Sequence, residues 1–235
     1  MGEFHSSQKI GEIVTKFPKS ADILKEYRID FCCGGDRPLI TAIKEQGLNE
    51  AEILDRINNL YEEVKSVKTE DIDWEKESMS KLIDHVVNTH HAYLGVELPI
   101  ISELTTKILR VHGEGHPELS KVHKLFHSLK MELEQHLIKE EEIEFPLIKK
   151  YEENPSKEAL EKILKVEKEL EEEHVGAGDI LKELRKITKD YAVPEDGCNS
   201  YRLTYKKLEE LEADTFQHIH LENNILFPRL ENENK

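Results

Sequence analysis

Two stretches of this chain spell the same line: His136-x3-Glu140-x2-Ile143-x-Phe145-Pro146 and His218-x3-Glu222-x2-Ile225-x-Phe227-Pro228. Each closes a seam stepped by three and four. Val122, Phe126, Leu129 and Leu133 lead into the first, and Leu208, Leu211 and Thr215 into the second. That spacing keeps one helix face against a core, so both segments are restricted to bundle helices. A histidine and a carboxylate then stand where packing asks for leucine or isoleucine. The repeat also runs backwards, because His91 lies 45 residues before His136 and His174 lies 44 before His218. The pattern reads as two helical hairpins, each offering one His from its first helix and a His-x3-Glu from its second.

Residues four apart share a helix face and lie about 6 Å apart along the axis, so such a pair reaches a common point. A pseudo-two-fold between the hairpins would gather His91, His136, His174 and His218 with Glu140 and Glu222. Shared evenly, two metals would each take two imidazoles, with both glutamates left to bridge. Borderline nitrogen and hard oxygen in an open set suit iron. Structural zinc asks for four closed ligands and often thiolates. The alternative is a core of histidines hydrogen-bonded to glutamates. Burying two carboxylates without a cation is costly, and matched placement in both hairpins is harder still to explain that way.

The rest of the chain supports an all-α fold. Charged residues make up 35 % and apolar residues 37 %, the balance of long solvated helices around narrow cores. Long helices are expected near 75–111, 117–150, 156–190 and 200–228, broken at Gly113–Pro117, Asn154-Pro155 and Pro194–Gly197. Pro99 should kink the first rather than end it. Residues 1–64 read as a small domain of short helices. They are Ile10–Phe17 before Pro18, Ala21–Tyr27 capped by Ser20, one opening at Pro38, and one capped by Asn49. Residues 65–74 read as a linker, and 75–235 as an antiparallel four-helix bundle.

A formal charge of −16 repels phosphate backbones and argues against a nucleic-acid partner. No apolar run approaches the ~20 residues of a membrane span, and the N-terminus lacks a signal-peptide stretch. Three cysteines, two of them adjacent, do not form a disulfide framework, which points to a reducing cytoplasm.

The His-x3-Glu helices resemble those of hemerythrin-like di-iron bundles, and the whole chain resembles the repair-of-iron-centres family. The matching segments are Ile29-Asp30-Phe31-Cys32-Cys33-Gly34-Gly35, Val111-His112-Gly113 and Glu173-His174. They continue with His136-x3-Glu140-Glu141-x3-Phe145-Pro146 and His218-x-His220-Leu221-Glu222-Asn223-Asn224-x-Leu226-Phe227-Pro228. The resemblance implies two non-haem iron ions, oxo- or hydroxo-bridged. It also implies a role in restoring iron–sulfur clusters damaged by nitric oxide or peroxide, with damaged iron–sulfur proteins as partners. Oxygen-carrying hemerythrins place a second histidine four residues after the third-helix ligand, and here that position is Gly178. One iron would then have fewer protein ligands, which suits release or reaction better than oxygen carriage.

Two rivals use the same site: a nitric oxide reductase, and a sensor or carrier of nitric oxide or oxygen. Glu171-x-x-His174 resembles half of a ferritin-type signature, but Leu133 and Thr215 stand three before His136 and His218 where the other half needs a carboxylate, so ferritin-like storage is disfavoured. Cys32 and Cys33, between Phe31 and two glycines, are expected to handle iron, nitric oxide or electrons, or to dock a client. His112 and Cys198 read as incidental to the metals. His90 is expected behind the ligands or at the surface, His220 is expected to face outward, and His85, His123 and His127 are expected off the seam. The linker is compatible with a homodimer in which one N-terminal domain reaches the other chain's bundle.

Overall fold

The computed structural model describes residues 2–65 and 72–233, so most of the expected linker lies outside the described residues. Among the described residues the regular structure is helical, apart from one isolated bridge between Lys9 and Pro38. The chain forms two compact units, residues 1–78 with 219–235, and residues 79–218.

The first unit contains α1 (Ile10–Lys16), α2 (Ser20–Glu26), α3 (Leu39–Gln46) and α4 (Glu50–Lys65). Asn49 caps α4 as expected, its side-chain oxygen accepting from the amides of Ala51 and Glu52 at 3.1 and 3.3 Å. Ser20 lies inside α2 rather than at its cap, and its hydroxyl donates to the Phe17 carbonyl instead. Ile10, Ile13, Leu24, Leu39, Ile53 and Ile57 are fully buried. The end of the last helix, from Ile219, groups with residues 1–78. Local contacts account for this: Asn224 bonds the Phe31 and Cys32 carbonyls, and Arg229 bonds the Trp74 carbonyl.

The second unit is the bundle. Its first rod joins α5 (Met79–Val86) to α6 (Ala92–His112) through a π-helical turn at Val87–His91, and α6 continues past Pro99. Its second rod joins α7 (Glu118–Lys139) to α8 (Phe145–Glu153) through a π turn at Glu140–Glu144. The third is α9 (Lys157–Ile187), capped by the Ser156 hydroxyl. The fourth is α10 (Asn199–Leu221), which lies in this unit as far as His218; the π turn at Glu222–Leu226 and α11 (Phe227–Glu233) that continue it group with the first unit. Short connections make successive rods antiparallel neighbours. Leu98, Ile101, Phe126, Leu129, Leu181, Leu184, Tyr205 and Leu208 share one core. Burying each such leucine or isoleucine contributes about 1.5–3 kcal/mol.

The π turns move the register. Ile143, expected on the seam, is 48 % exposed, while Glu144 beside it is buried. One extra residue in the turn rotates the downstream helix by about 100°, which exchanges the two. Pro146 and Pro228 carry no N–H and so weaken the ladder one turn back, where two of the wide turns lie.

Candidate metal centre

His91, His136, Glu140, His174 and His218 meet inside the bundle, and all five are buried. His91 ends the first π turn and Glu140 opens the second. The His91 Nε2 lies 3.3 Å from the His218 Nε2 and 3.3 Å from Glu140 Oε2. The His136 Nε2 lies 3.0 Å from the His174 Nε2 and 3.1 Å from Glu140 Oε1. Glu140 therefore presents one oxygen to each imidazole pair, with His218 at 3.8 Å from Oε2. The pairs cross the hairpins: a first-helix histidine of one meets a second-helix histidine of the other. Glu222 is buried one helical turn past His218, where the third π turn opens.

The outer nitrogens decide what the inner ones can do. His91 Nδ1 lies 2.8 Å from Glu141 Oε1, and His136 Nδ1 lies 2.8 Å from Glu173 Oε2. A carboxylate accepts, so Nδ1 carries the proton and Nε2 turns a lone pair inward. Carboxylates oriented in this way behind imidazoles are the usual outer support of metal-ligating histidines. The donor set therefore fits cation binding through Nε2 atoms and carboxylate oxygens. Burial raises the Glu173 carboxyl, but hydrogen bonds from Lys139 and His136 outweigh that and hold it below its ordinary range.

Residues 82–230 match the hemerythrin HHE cation-binding domain, and residues 6–61 match ScdA_N, a domain of unknown function. Over 94 % of its length the chain is 30 % identical to the iron–sulfur cluster repair protein ScdA of Staphylococcus epidermidis, of which 96 % is covered. The chain belongs to the repair-of-iron-centres family. It is also 35 % identical to a probable iron–sulfur cluster repair protein of Haemophilus influenzae, across 97 % of this chain and 98 % of that one. The protein YtfE of Yersinia pseudotuberculosis, likewise named for iron–sulfur cluster repair, is 29 % identical over 96 % of this chain and 97 % of its own. As in that family, a helical N-terminal region precedes the hemerythrin-like bundle. No described helix is long and apolar enough to cross a membrane.

The other histidines sort by what they touch. His90 is buried, bonds Asp214 at 2.9 Å through Nδ1, and stacks on the His218 ring at 5.6 Å. His127 and His123 bond Ser102 and Thr106, off the seam as expected. His220 differs from the expectation that it faces outward: it is 1 % exposed. Its face of the helix is covered within the first unit, where Nδ1 lies 3.4 Å from the Phe31 carbonyl and Nε2 3.4 Å from Thr15. Burial pushes its pKa down to about 4, so it stays a neutral ring at physiological pH.

Cys32 and Cys33 hold their sulfurs 3.8 Å apart. Asp30 shapes their loop, its Oδ1 accepting from the Cys32 and Gly34 amides at 3.1 and 3.0 Å and from the Cys32 thiol at 3.3 Å. The hydrogen bond with Cys33, then burial and the Asp30 charge, push the Cys32 thiol well above the ordinary range. Asn224 clamps the same loop, donating to the Cys32 carbonyl at 2.9 Å. Reading by periodicity missed Glu141, Asp214 and the π turns. The signal available was only the repeated Phe-Pro one turn after each His-x3-Glu.

Proposed function

We propose that this protein restores iron–sulfur clusters damaged by nitrosative or oxidative stress. In this reading it delivers iron from a pair of ions held by His91, His136, His174, His218, Glu140 and Glu222. The observation that supports the reading most is Glu140, fully buried with one oxygen toward each imidazole pair. Glu222 enters as the matching carboxylate of the internal repeat. Iron bound there supplies an exchangeable, redox-active metal pair.

The chain's own residues set how firmly such ions are kept. Glu141 and Glu173 hold the Nδ1 protons of His91 and His136, and their side chains are 44 % and 40 % exposed. Water can compete for those outer bonds, which favours release over storage. Gly178, one turn after His174, offers no second imidazole from α9. Both features fit a donor better than a carrier. The relatives' names, each stating iron–sulfur cluster repair, support the repair reading.

The test is metal content and optical spectrum of aerobically purified protein, followed by iron transfer to an apo-ferredoxin, beside a Glu140→Ala, Glu222→Ala double variant. About two irons per chain, and cluster restoration lost in a variant that keeps its helical circular dichroism, are expected. Zinc, or no metal in well-folded protein, would overturn the proposal. Loaded protein that never restores a cluster would overturn the donation step.

A further inference from the structure

The other end of α6 holds a group of side chains that the metal centre does not use. The helix ends at His112, 21 residues after the first π turn, which places it about 30 Å along the axis from His91. Cys198 directly precedes α10, and its carbonyl accepts from the Arg202 amide at 3.0 Å, the first bond of that helix. Its thiol is exposed, and the His112 Nε2 lies 3.2 Å from Sγ. The amides of Ser200 and Tyr201, at the start of α10, are also directed at this sulfur. An imidazole and two helix-terminal amides thus converge on one accessible sulfur, the surroundings that favour a thiolate.

The neighbouring groups keep the arrangement in place. The His112 ring packs edge-on against Tyr201 at 5.4 Å, and His116 packs against the same tyrosine at 5.6 Å. His116 is tied to Asp196 at 3.1 Å and to Glu118 at 3.1 Å, which fixes the loop before Cys198. Among the described residues, those two carboxylates and His116 are the charged groups nearest the pair. The tandem thiols at the other end of the sequence differ, since Cys32 is buried and held protonated.

We propose that Cys198 is the reactive thiol of this protein and forms mixed disulfides reversibly with small disulfides, with His112 as its positioning residue. In the step, the Cys198 sulfur attacks one sulfur of the small disulfide. A new S–S bond forms as the old one breaks, and the displaced sulfur leaves as a thiolate that takes a proton from solvent. One disulfide is consumed and one is made, so no outside oxidant is required. A second thiol of the same class reverses the exchange.

The hydrogen bond from His112 comes first, and with the helix amides it brings the Cys198 pKa from 9.0 down to about 7. At pH 7 about half of the sulfur is then ionised, roughly fifty times the share of a thiol with a pKa of 9.0. A less basic thiolate is also a weaker nucleophile, by about tenfold over two pKa units. The net expectation is a rate about fivefold above that of an ordinary exposed cysteine at pH 7.

The test uses the full-length protein with cystamine as the disulfide, a cationic reagent suited to the carboxylates nearby. Modification is followed by mass spectrometry with peptide mapping, for wild type and His112→Gln between pH 6 and pH 10. Cys198 should be modified before Cys32 or Cys33. The His112→Gln variant keeps the helix amides, so it should react more slowly at pH 7 by up to about fivefold, yet faster than wild type at the alkaline end, a crossing that a merely structural role would not produce. Modification that goes first to Cys32 or Cys33, or pH profiles that coincide, would overturn the proposal. A second measurement needs no histidine variant: the thiolate ultraviolet absorbance of wild type minus Cys198→Ser. A midpoint near 7 supports the proposal, and one near 9 overturns it.

Discussion

Glu141 and Glu173 show how little of a site's support is visible residue by residue. Each sits on a helix rich in charge, where a glutamate usually meets only water, yet each holds the outer nitrogen of a buried imidazole. Losing such a partner typically costs 10–100-fold in metal affinity. Glu141→Ala and Glu173→Ala should each weaken iron binding by roughly that factor in a chelator competition, with helical content unchanged. If both variants hold iron as wild type does, the inward lone pairs are not fixed in this way. The histidines and Glu140 were legible beforehand because a polar group in an apolar seam violates the pattern around it. Glu141 violated nothing. His220 was misplaced for a related reason: the periodicity of one helix cannot show what covers its other face.

Among the elements, the three π turns matter most. Each contains or opens on a proposed ligand, at His91, Glu140 and Glu222. A wide turn re-aims one side chain without ending the helix, which explains why such turns gather at functional sites. Ideal 3.6-residue counting placed Ile143 inside, and the turn placed Glu144 there instead. A different constraint holds the distal loop. Lys189, Asp190 and Tyr191 are all left-handed, with φ of 53°, 60° and 56°. Three non-glycine residues in that region are strained and need firm surroundings. Arg185 supplies them, its Nε donating to both oxygens of Glu212 at 2.9 Å while its guanidinium lies 5.2 Å from the Tyr191 ring. Glu212 is 1 % exposed, so Arg185→Met would leave a buried carboxylate without its cation. That change should destabilise the bundle by about 3–5 kcal/mol in chemical denaturation. A loss under about 1 kcal/mol would mean the pair is solvated in solution.

At the scale of the whole molecule, the last helix belongs to two compact units, changing over between His218 and Ile219. Within the first unit, Asn224 holds the helix end to the Cys32 loop. A Cβ added at Gly35 would lie 2.2 Å from the Asn224 side-chain oxygen and 2.7 Å from the Phe31 carbonyl, and one at Gly11 would meet the same oxygen at 2.2 Å. Gly11 and Gly35 also bond each other, amide to carbonyl, at 2.7 Å. Gly35→Ala should therefore cost about 1–3 kcal/mol through forced backbone shifts. Gly95→Ala, on an open face of α6 with nothing within 4 Å, should gain about 0.5–1 kcal/mol from helix propensity. Thermal unfolding of the two variants distinguishes them, and equal melting temperatures would remove the clamp.

By itself the sequence determined that the chain is all-α, that a bundle follows a small helical region, and which buried polar positions break the apolar seams. These are consequences of local periodicity, which any single helix carries in its own residues. Tertiary structure alone decided how the imidazoles pair across hairpins, which carboxylates stand behind them, and that His112 meets Cys198 from 86 positions away. It also decided that the end of the last helix packs with residues 1–78. Such contacts depend on the angle at which one helix faces another, and one residue in a π turn is enough to change that angle. Counting along the chain assumes the turn is always the same width.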